Sequence, residues 1–269
     1  MAREGIWFSG EDALNYDLYL GPLLFEPSAV RFTSYLERAD VKSVLEISCG
    51  TGRLTGHLRD YFPSTTKLIA TDSSTDMLEV AREKMKDSPV ELQFADAQNL
   101  PFPNASFDLV VNQYGLMFLP DKQKGFTEAF RVLKPGGRFI FATWDKSGNI
   151  PLFNLIFNEM VTPQFRGEDT SRFQIPFVLH DSSIMINYLQ KAGFMNNDVF
   201  PLEFKSGYST PENVVNGFLL KHALGREIAN KDPKALGRLG KEIHKRIVEQ
   251  FGKTNIVFDL KAFIGIGQK

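Results

Sequence analysis

Short apolar runs and longer stretches of helical spacing alternate through the first half of the chain. Residues 43 to 48 (SVLEIS) read as a buried strand that ends in CGTG, and Arg53 to Phe62 then carries Leu54 and Leu58 on one side of a helix. The pattern recurs as KLIAT at 67 to 71, a helix from Thr75 to Lys86, VELQFA at 90 to 95, FDLVVN at 107 to 112, a helix from Lys122 to Leu133, and the run GGRFIFATW ending at Trp144. Five strands separated by helices or long connections predict a doubly wound, mostly parallel α/β sheet with right-handed crossovers.

After Trp144 the rhythm changes. Residues 150 to 161 are apolar and helical in spacing, Thr162 to His180 is interrupted by Pro163, Gly167 and Pro176, and Asp181 and Ser182 precede a helix that ends near Gly193. A strand-like VFPLEFKSGY, helical stretches at about 211 to 224 and 234 to 251, and an apolar run at 255 to 267 complete the chain. The two late strands are expected to finish the same sheet, giving seven strands. The expected organisation is an N-terminal helical cover (1–40), an α/β core (41–149), a lid (150–180) and a closing segment (181–269) whose helices at about 211–251 are an inserted cap.

The 269 residues suffice for one composite globule, and 43% hydrophobic against 23% charged residues excludes a disordered chain or a coiled coil. Lys plus Arg number 31 against 32 acids, so the formal charge of −1 offers no general attraction for nucleic acid. A single cysteine, Cys49, rules out an internal disulfide framework and a multi-cysteine zinc site. No apolar run approaches the ~20 residues of a membrane span, and Met1 to Gly10 carries charges and a tryptophan in place of a leader core. A soluble cytoplasmic protein without stable membrane insertion is expected. Phenylalanine is the unusual residue, at 24 against 7 tyrosines and 2 tryptophans. Part of this excess, including Phe153, Phe157, Phe165, Phe173, Phe177, Phe194, Phe200, Phe204 and Phe218, falls in the lid and cap, where it would suit an apolar or aromatic small molecule.

The chemistry gathers at strand ends. Glycines at 50 and 52 follow the first strand, and a residue without Cβ there allows a ligand to approach the backbone. Asp72 follows the second strand, twenty residues beyond Gly52, where a carboxylate can accept from the vicinal hydroxyls of a ribose. Asp96 follows the third, where a carboxylate can accept from an adenine amino group. Ligands of open α/β sheets bind outside the carboxyl ends of the strands, which is where all three features fall. A nicotinamide dehydrogenase would use the same features, but its fingerprint requires glycine at 55, where Thr55 stands.

In these motifs the sequence resembles the class I S-adenosylmethionine-dependent methyltransferases, in particular the small-molecule branch of ubiquinone and menaquinone biosynthesis enzymes. The resemblance rests on VLEISCGTG, ATDSSTDML, FADAQNLPFPNASFDLVVNQYGLMF and EAFRVLKPGGRFIFATW, spanning Val44 to Trp144. It implies a Rossmann-like fold, S-adenosylmethionine as cofactor and S-adenosylhomocysteine as product. It further implies that Glu46 and the backbone of Ser48 and Gly50 hold the amino-acid portion, Asp72 the ribose, Ser73 and Met77 the flanks of the adenine, and Asp96 with Ala97 the adenine amino edge. Asn112 and Gln113 would lie beside the methionine portion, and Tyr16 and Tyr19 would close over its carboxylate. Ser48 stands where the family often has glycine, so the turn must accept a Cβ.

Methyl transfer from a sulfonium needs alignment more than a covalent intermediate, so no catalytic residue and no metal are assigned. Of the histidines, His180 and His222 are better placed for a general base than His57 or His244. The (D/N)PPY motif and the Pro-Cys pair of nucleic-acid methyltransferases are missing, with NQYG following the fourth strand. The expected partner is a small-molecule acceptor. A cofactor-binding protein without turnover and a nicotinamide-dependent oxidoreductase are the alternatives.

Overall fold

The computed structural model describes residues 10–269; Met1 to Ser9, with most of the N-terminal segment weighed for a leader and the start of the expected cover, lie outside the described residues. Seven strands, β1 (Ser43–Ile47), β2 (Lys67–Asp72), β3 (Glu91–Phe94), β4 (Phe107–Gln113), β5 (Leu133–Trp144), β6 (Met195–Lys205) and β7 (Asp259–Gln268), make one sheet in the order β3-β2-β1-β4-β5-β7-β6. The β3-β2-β1-β4-β5 pairs are parallel, and β7 pairs antiparallel with β5, from Arg138 opposite Gln268 to Trp144 opposite Ala262. The sheet is mostly parallel and Rossmann-like, and the two late strands complete it.

Helices Arg53–Tyr61, Thr75–Met85 and Lys122–Val132 follow β1, β2 and β4. The second and third start where side chains satisfy their orphan N–H groups: Ser74 Oγ accepts from Met77 N and Asp121 Oδ1 from Lys124 N. The central strands bury Val44, Leu45, Ile47, Val110, Val111, Phe139, Ile140 and Phe141, as a sheet covered on both faces requires.

The chain divides into two compact units, and the division cuts across the segments expected from sequence. A sheet unit takes 29–145, 175–202 and 261–269; a helical unit takes the N-terminal stretch to Ser28, 146–174 and 203–260. Residues 29–40 therefore group with the sheet unit, as do Phe177, Phe194 and Phe200, which the sequence reading assigned to lid and cap. The reason is that Met195–Lys205 joins the sheet, and Phe194 packs edge-on to Phe130 with centroids 5.0 Å apart.

Within the helical unit, three stretches are π-helical: Tyr16–Phe25, Asn154–Val161 and Asn216–Leu220. Phe153, Phe157 and Phe218 pack edge to face at 5.8 to 6.1 Å. The unit is also held by a two-pronged pair in which Arg226 donates to both carboxylate oxygens of the buried Asp12. Among the described residues no helix is long and apolar enough to cross a membrane.

Candidate functional site

The glycine loop after β1 alternates left-handed residues: Ser48 at φ 56°, Gly50 at φ 56° and Gly52 at φ 77°. Ser48 thus adopts the glycine-type conformation that its Cβ opposes, which answers how the turn accepts a serine. The direction in which Gly50 would carry a Cβ is open, with nothing within 4 Å, so a ligand has room to lie against this backbone.

Two acids support the loop. Asp72, at the end of β2, accepts from the backbone N–H of Gly50 through Oδ2 and of Ser74 through Oδ1, each at 2.8 Å. It therefore ties the glycine loop to the turn after β2 with two of the roughly four lone-pair sites of its carboxylate. Glu46, on β1, is buried, and its Oε2 accepts from the Thr55 hydroxyl at 2.6 Å. Burial, opposed by the Thr55 bond and reinforced by the nearby Asp72, pushes the Glu46 carboxyl up to about 8. Asp72 is raised by burial too, against the backbone N–H groups of Ser74, Gly50 and Ser73. These acids would gain from a cationic ligand, which suits a group carrying an ammonium and a sulfonium. Burial, then Glu46 and Asp72, hold the Cys49 thiol well above its usual range, so it stays protonated and is no nucleophile.

The other residues singled out by sequence fall as follows. Ser73 is exposed and Met77 buried at the start of the helix after β2. Asp96 is exposed after β3, where its Oδ1 accepts from Gln98 N at 2.8 Å, and Ala97 beside it is buried. Asn112 is fully buried, and its amide is spent on the frame: Nδ2 donates to Ile47 O at 2.8 Å, while Oδ1 accepts from Gly115 N and Leu116 N at 3.1 and 3.2 Å. It joins the end of β1 to the turn after β4. Gln113 is half-buried at the last position of β4. Tyr16 and Tyr19 belong to the helical unit, half-buried in its first π-helical stretch, where Tyr16 stacks on Phe25 at 4.8 Å.

Neither favoured histidine is placed as a free base. His222 is buried and caps the helix Ala223–Lys231, its Nδ1 accepting from Leu224 N, and burial lowers its pKa to about 4. His180 is half-buried, with Nδ1 2.6 Å from the carbonyl of Phe177.

The sequence reading missed the aromatic pair beside the loop. Tyr114 lies at φ 57°, buried, and its ring stacks on Trp144 with centroids 3.9 Å apart and planes within 3°. Of NQYG only Asn112 and Gln113 were given a role, and nothing local to Tyr114 announces a partner at the end of β5. A cavity of about 310 Å³ lined by Asp108, Gly136, Gly137 and Arg138 opens at the opposite, N-terminal end of β4, away from the acids and the glycine loop.

A family model described as a methyltransferase domain matches residues 45–141. The chain is 30% identical over 174 residues to the ubiquinone/menaquinone biosynthesis C-methyltransferase UbiE of Escherichia coli, covering 60% of this chain and 69% of that protein. It is 42% identical over 101 residues to the demethylmenaquinone methyltransferase of Lactococcus lactis, covering 36% of this chain and 40% of that one. Among solved structures it resembles a Haemonchus contortus phosphoethanolamine N-methyltransferase in complex with S-adenosyl-L-methionine, with a TM-score of 0.60 at 19% identity over 97% of this chain and 57% of that one; that likeness concerns the fold. The glycine loop, the acids at successive strand ends and these matches agree: the chain belongs to the class I S-adenosylmethionine-dependent methyltransferases, in their small-molecule branch.

Proposed function

We propose that the protein moves the methyl group of S-adenosylmethionine to a small apolar acceptor of aromatic or hydroquinone type. The observation that carries this reading is the 30% identity to a quinone-pathway C-methyltransferase over 69% of that protein's length. The cluster of Phe153, Phe157 and Phe218 in the helical unit is of the apolar aromatic residue type that suits such an acceptor.

The chain's residues fit the cofactor. Glu46 and the backbone of Ser48 and Gly50 would hold its amino-acid portion. Asp72 would accept from the ribose hydroxyls while it also holds the backbone N–H groups of Gly50 and Ser74. Met77 and Ser73 would flank the adenine, and Asp96 and Ala97 would meet its amino edge. Asn112 would act through the frame, fixing the turn of Gln113 to Leu116 against the glycine loop. When bound, the cofactor supplies a methyl group already activated by its sulfonium, so the protein's task is to align, desolvate and hold. An acidic hydroxyl or carbon acceptor must also lose a proton, and with His222 held as a neutral cap the site favours an acceptor whose own acidity supplies that step.

The reading is tested by screening soluble hydroquinones, phenols and amines for S-adenosylhomocysteine production. Turnover confined to hydroquinones and phenols is expected; turnover of amines alone would overturn the acceptor class. Binding of S-adenosylmethionine without turnover of any acceptor class would favour the non-catalytic alternative.

A further inference from the structure

Thr55, the residue that breaks the dinucleotide fingerprint, carries a buried hydroxyl where packing and helix propensity both favour an apolar side chain. It stands third in the helix Arg53–Tyr61 and is fully buried, as are Leu54 and Leu58 of the same helix. Threonine is a weaker helix former than alanine or leucine because its branched Cβ is restricted against the preceding turn, and a buried hydroxyl costs free energy unless it finds a partner. The partner is Glu46. Thr55 Oγ1 donates to Glu46 Oε2 at 2.6 Å, tying the first turn of the helix to β1. Glu46 lies in the middle of the sheet, opposite Ala70 of β2 and Val111 of β4, and a second threonine, Thr71, donates to its main-chain carbonyl at 3.1 Å. Among the described residues no hydrogen bond falls on its other carboxyl oxygen, Oε1.

Resting on the reading that Glu46 holds the amino-acid portion of the donor, we propose that Thr55 is a positioning residue: by pinning Oε2 of Glu46 it fixes the carboxyl group in one orientation and leaves Oε1 for the donor's ammonium. A glutamate side chain has several rotatable bonds, so a carboxyl group already held at one oxygen loses less freedom when a ligand docks on the other. The same bond acts on charge. Burial and the neighbouring Asp72 oppose ionisation of Glu46, and the Thr55 hydroxyl is the group that favours it. A hydroxyl donor stabilises a carboxylate more than a neutral acid, because the bond to a charged acceptor is the stronger one. Glycine at this position, as the nicotinamide fingerprint requires, would supply neither effect. The departure from that fingerprint is thus the feature that readies the acid for a cationic ligand.

Calorimetric affinities for S-adenosylhomocysteine and methylthioadenosine test this, since both carry the ribose and the adenine and only the first carries the ammonium. Thr55→Val removes the hydroxyl and keeps the shape. It is expected to lower S-adenosylhomocysteine affinity about tenfold, the scale of a hydrogen bond to a charged group, while methylthioadenosine affinity stays within about twofold. Thr55→Ser keeps the hydroxyl and should hold both affinities within about twofold of the wild type. In a Glu46→Met background Thr55→Val should cost less than about twofold, because its effect runs through the carboxyl group. Equal losses for the two ligands, failure of serine to retain affinity, or the same loss in both backgrounds overturns the proposal. Thermal unfolding checks each variant. Thr55→Ala replaces valine if valine does not fold, and failure of both to fold assigns the bond to stability and likewise overturns the proposal. A wild type that binds neither ligand overturns the donor-site reading itself, and unchanged S-adenosylhomocysteine affinity in Glu46→Met overturns the role of Glu46. A loss in Glu46→Met without one in Thr55→Val removes only the role of Thr55.

Discussion

A Cβ added to Gly115 would stand 2.4 Å from the Cβ of Ser48 and 2.6 Å from the Asn112 amide nitrogen. The turn after β4 and the glycine loop after β1 therefore meet with no space for a methyl group, and the floor of the crevice is set by main chain. Gly115→Ala is expected to destabilise the protein by roughly 2 kcal/mol or more, as overpacking of a tight contact does. Adding Ser48→Gly removes one of the two clashes and relieves the left-handed strain at position 48, so it should restore part of the loss. Urea unfolding of the single and double variants measures both effects.

Glu46 makes stability and donor binding depend on pH. Its pKa is raised from 4.5 to about 8 in the fold, so between these values the native chain holds a proton that the unfolded chain has released. Stability from this group is expected to fall as pH rises through that window and to level off above it. Glu46→Gln should flatten the slope, and unfolding midpoints from pH 5 to 9 check it. A cationic donor favours the ionised carboxyl, so S-adenosylmethionine affinity should rise with pH toward 8 and donor binding should release a proton, visible as a buffer-dependent binding enthalpy.

Asp72 is asked to hold a loop and a ligand at once. Asp72→Ala removes the acceptor of Gly50 N and Ser74 N together with the proposed ribose contact, and should cost about 1.5 to 3 kcal/mol in cofactor affinity. Unchanged affinity in a folded Asp72→Ala, measured by calorimetry, would reject the ribose assignment.

The pair of Asp12 and Arg226 is lopsided: the Asp12 side chain is 1% exposed and that of Arg226 is 57% exposed. Arg226→Ala leaves a buried carboxylate without its cation and is expected to destabilise the helical unit by about 3 kcal/mol, whereas Asp12→Asn should cost less because no charge is stranded. Limited proteolysis near the N-terminal helix reports the difference.

The sheet and the cofactor loop were legible because strand, turn and helix follow one another within a few residues and obey local rules. Ser43–Ile47, CGTG and Arg53–Tyr61 announce themselves by periodicity and glycine alone. Other features depend on partners far along the chain. The helical stretch read at 211 to 224 is a short α-helix, a π-helical turn and the start of a further helix, and its Gly217 lies so close to Tyr19 and Leu20 that a Cβ would not fit. Asn112 was singled out as a ligand neighbour, yet its amide is spent on Ile47 and Gly115, a use visible only once β1 and β4 are side by side. Trp144 stacks on a ring thirty positions upstream, in a left-handed turn that no propensity favours.

The antiparallel β7 places a constraint on assembly. β5 carries Phe139, Ile140 and Phe141 in the heart of the sheet, and its second neighbour is supplied by residues 262 to 268, after the helical unit's last segment has been made. During synthesis β5 must wait with an open hydrogen-bonding edge, the kind of edge that recruits foreign strands. The cofactor half of this protein can therefore close only after its other half has emerged, so a lesion in residues 203 to 258 that delays their compaction would first be seen as aggregation through a sheet to which it contributes little.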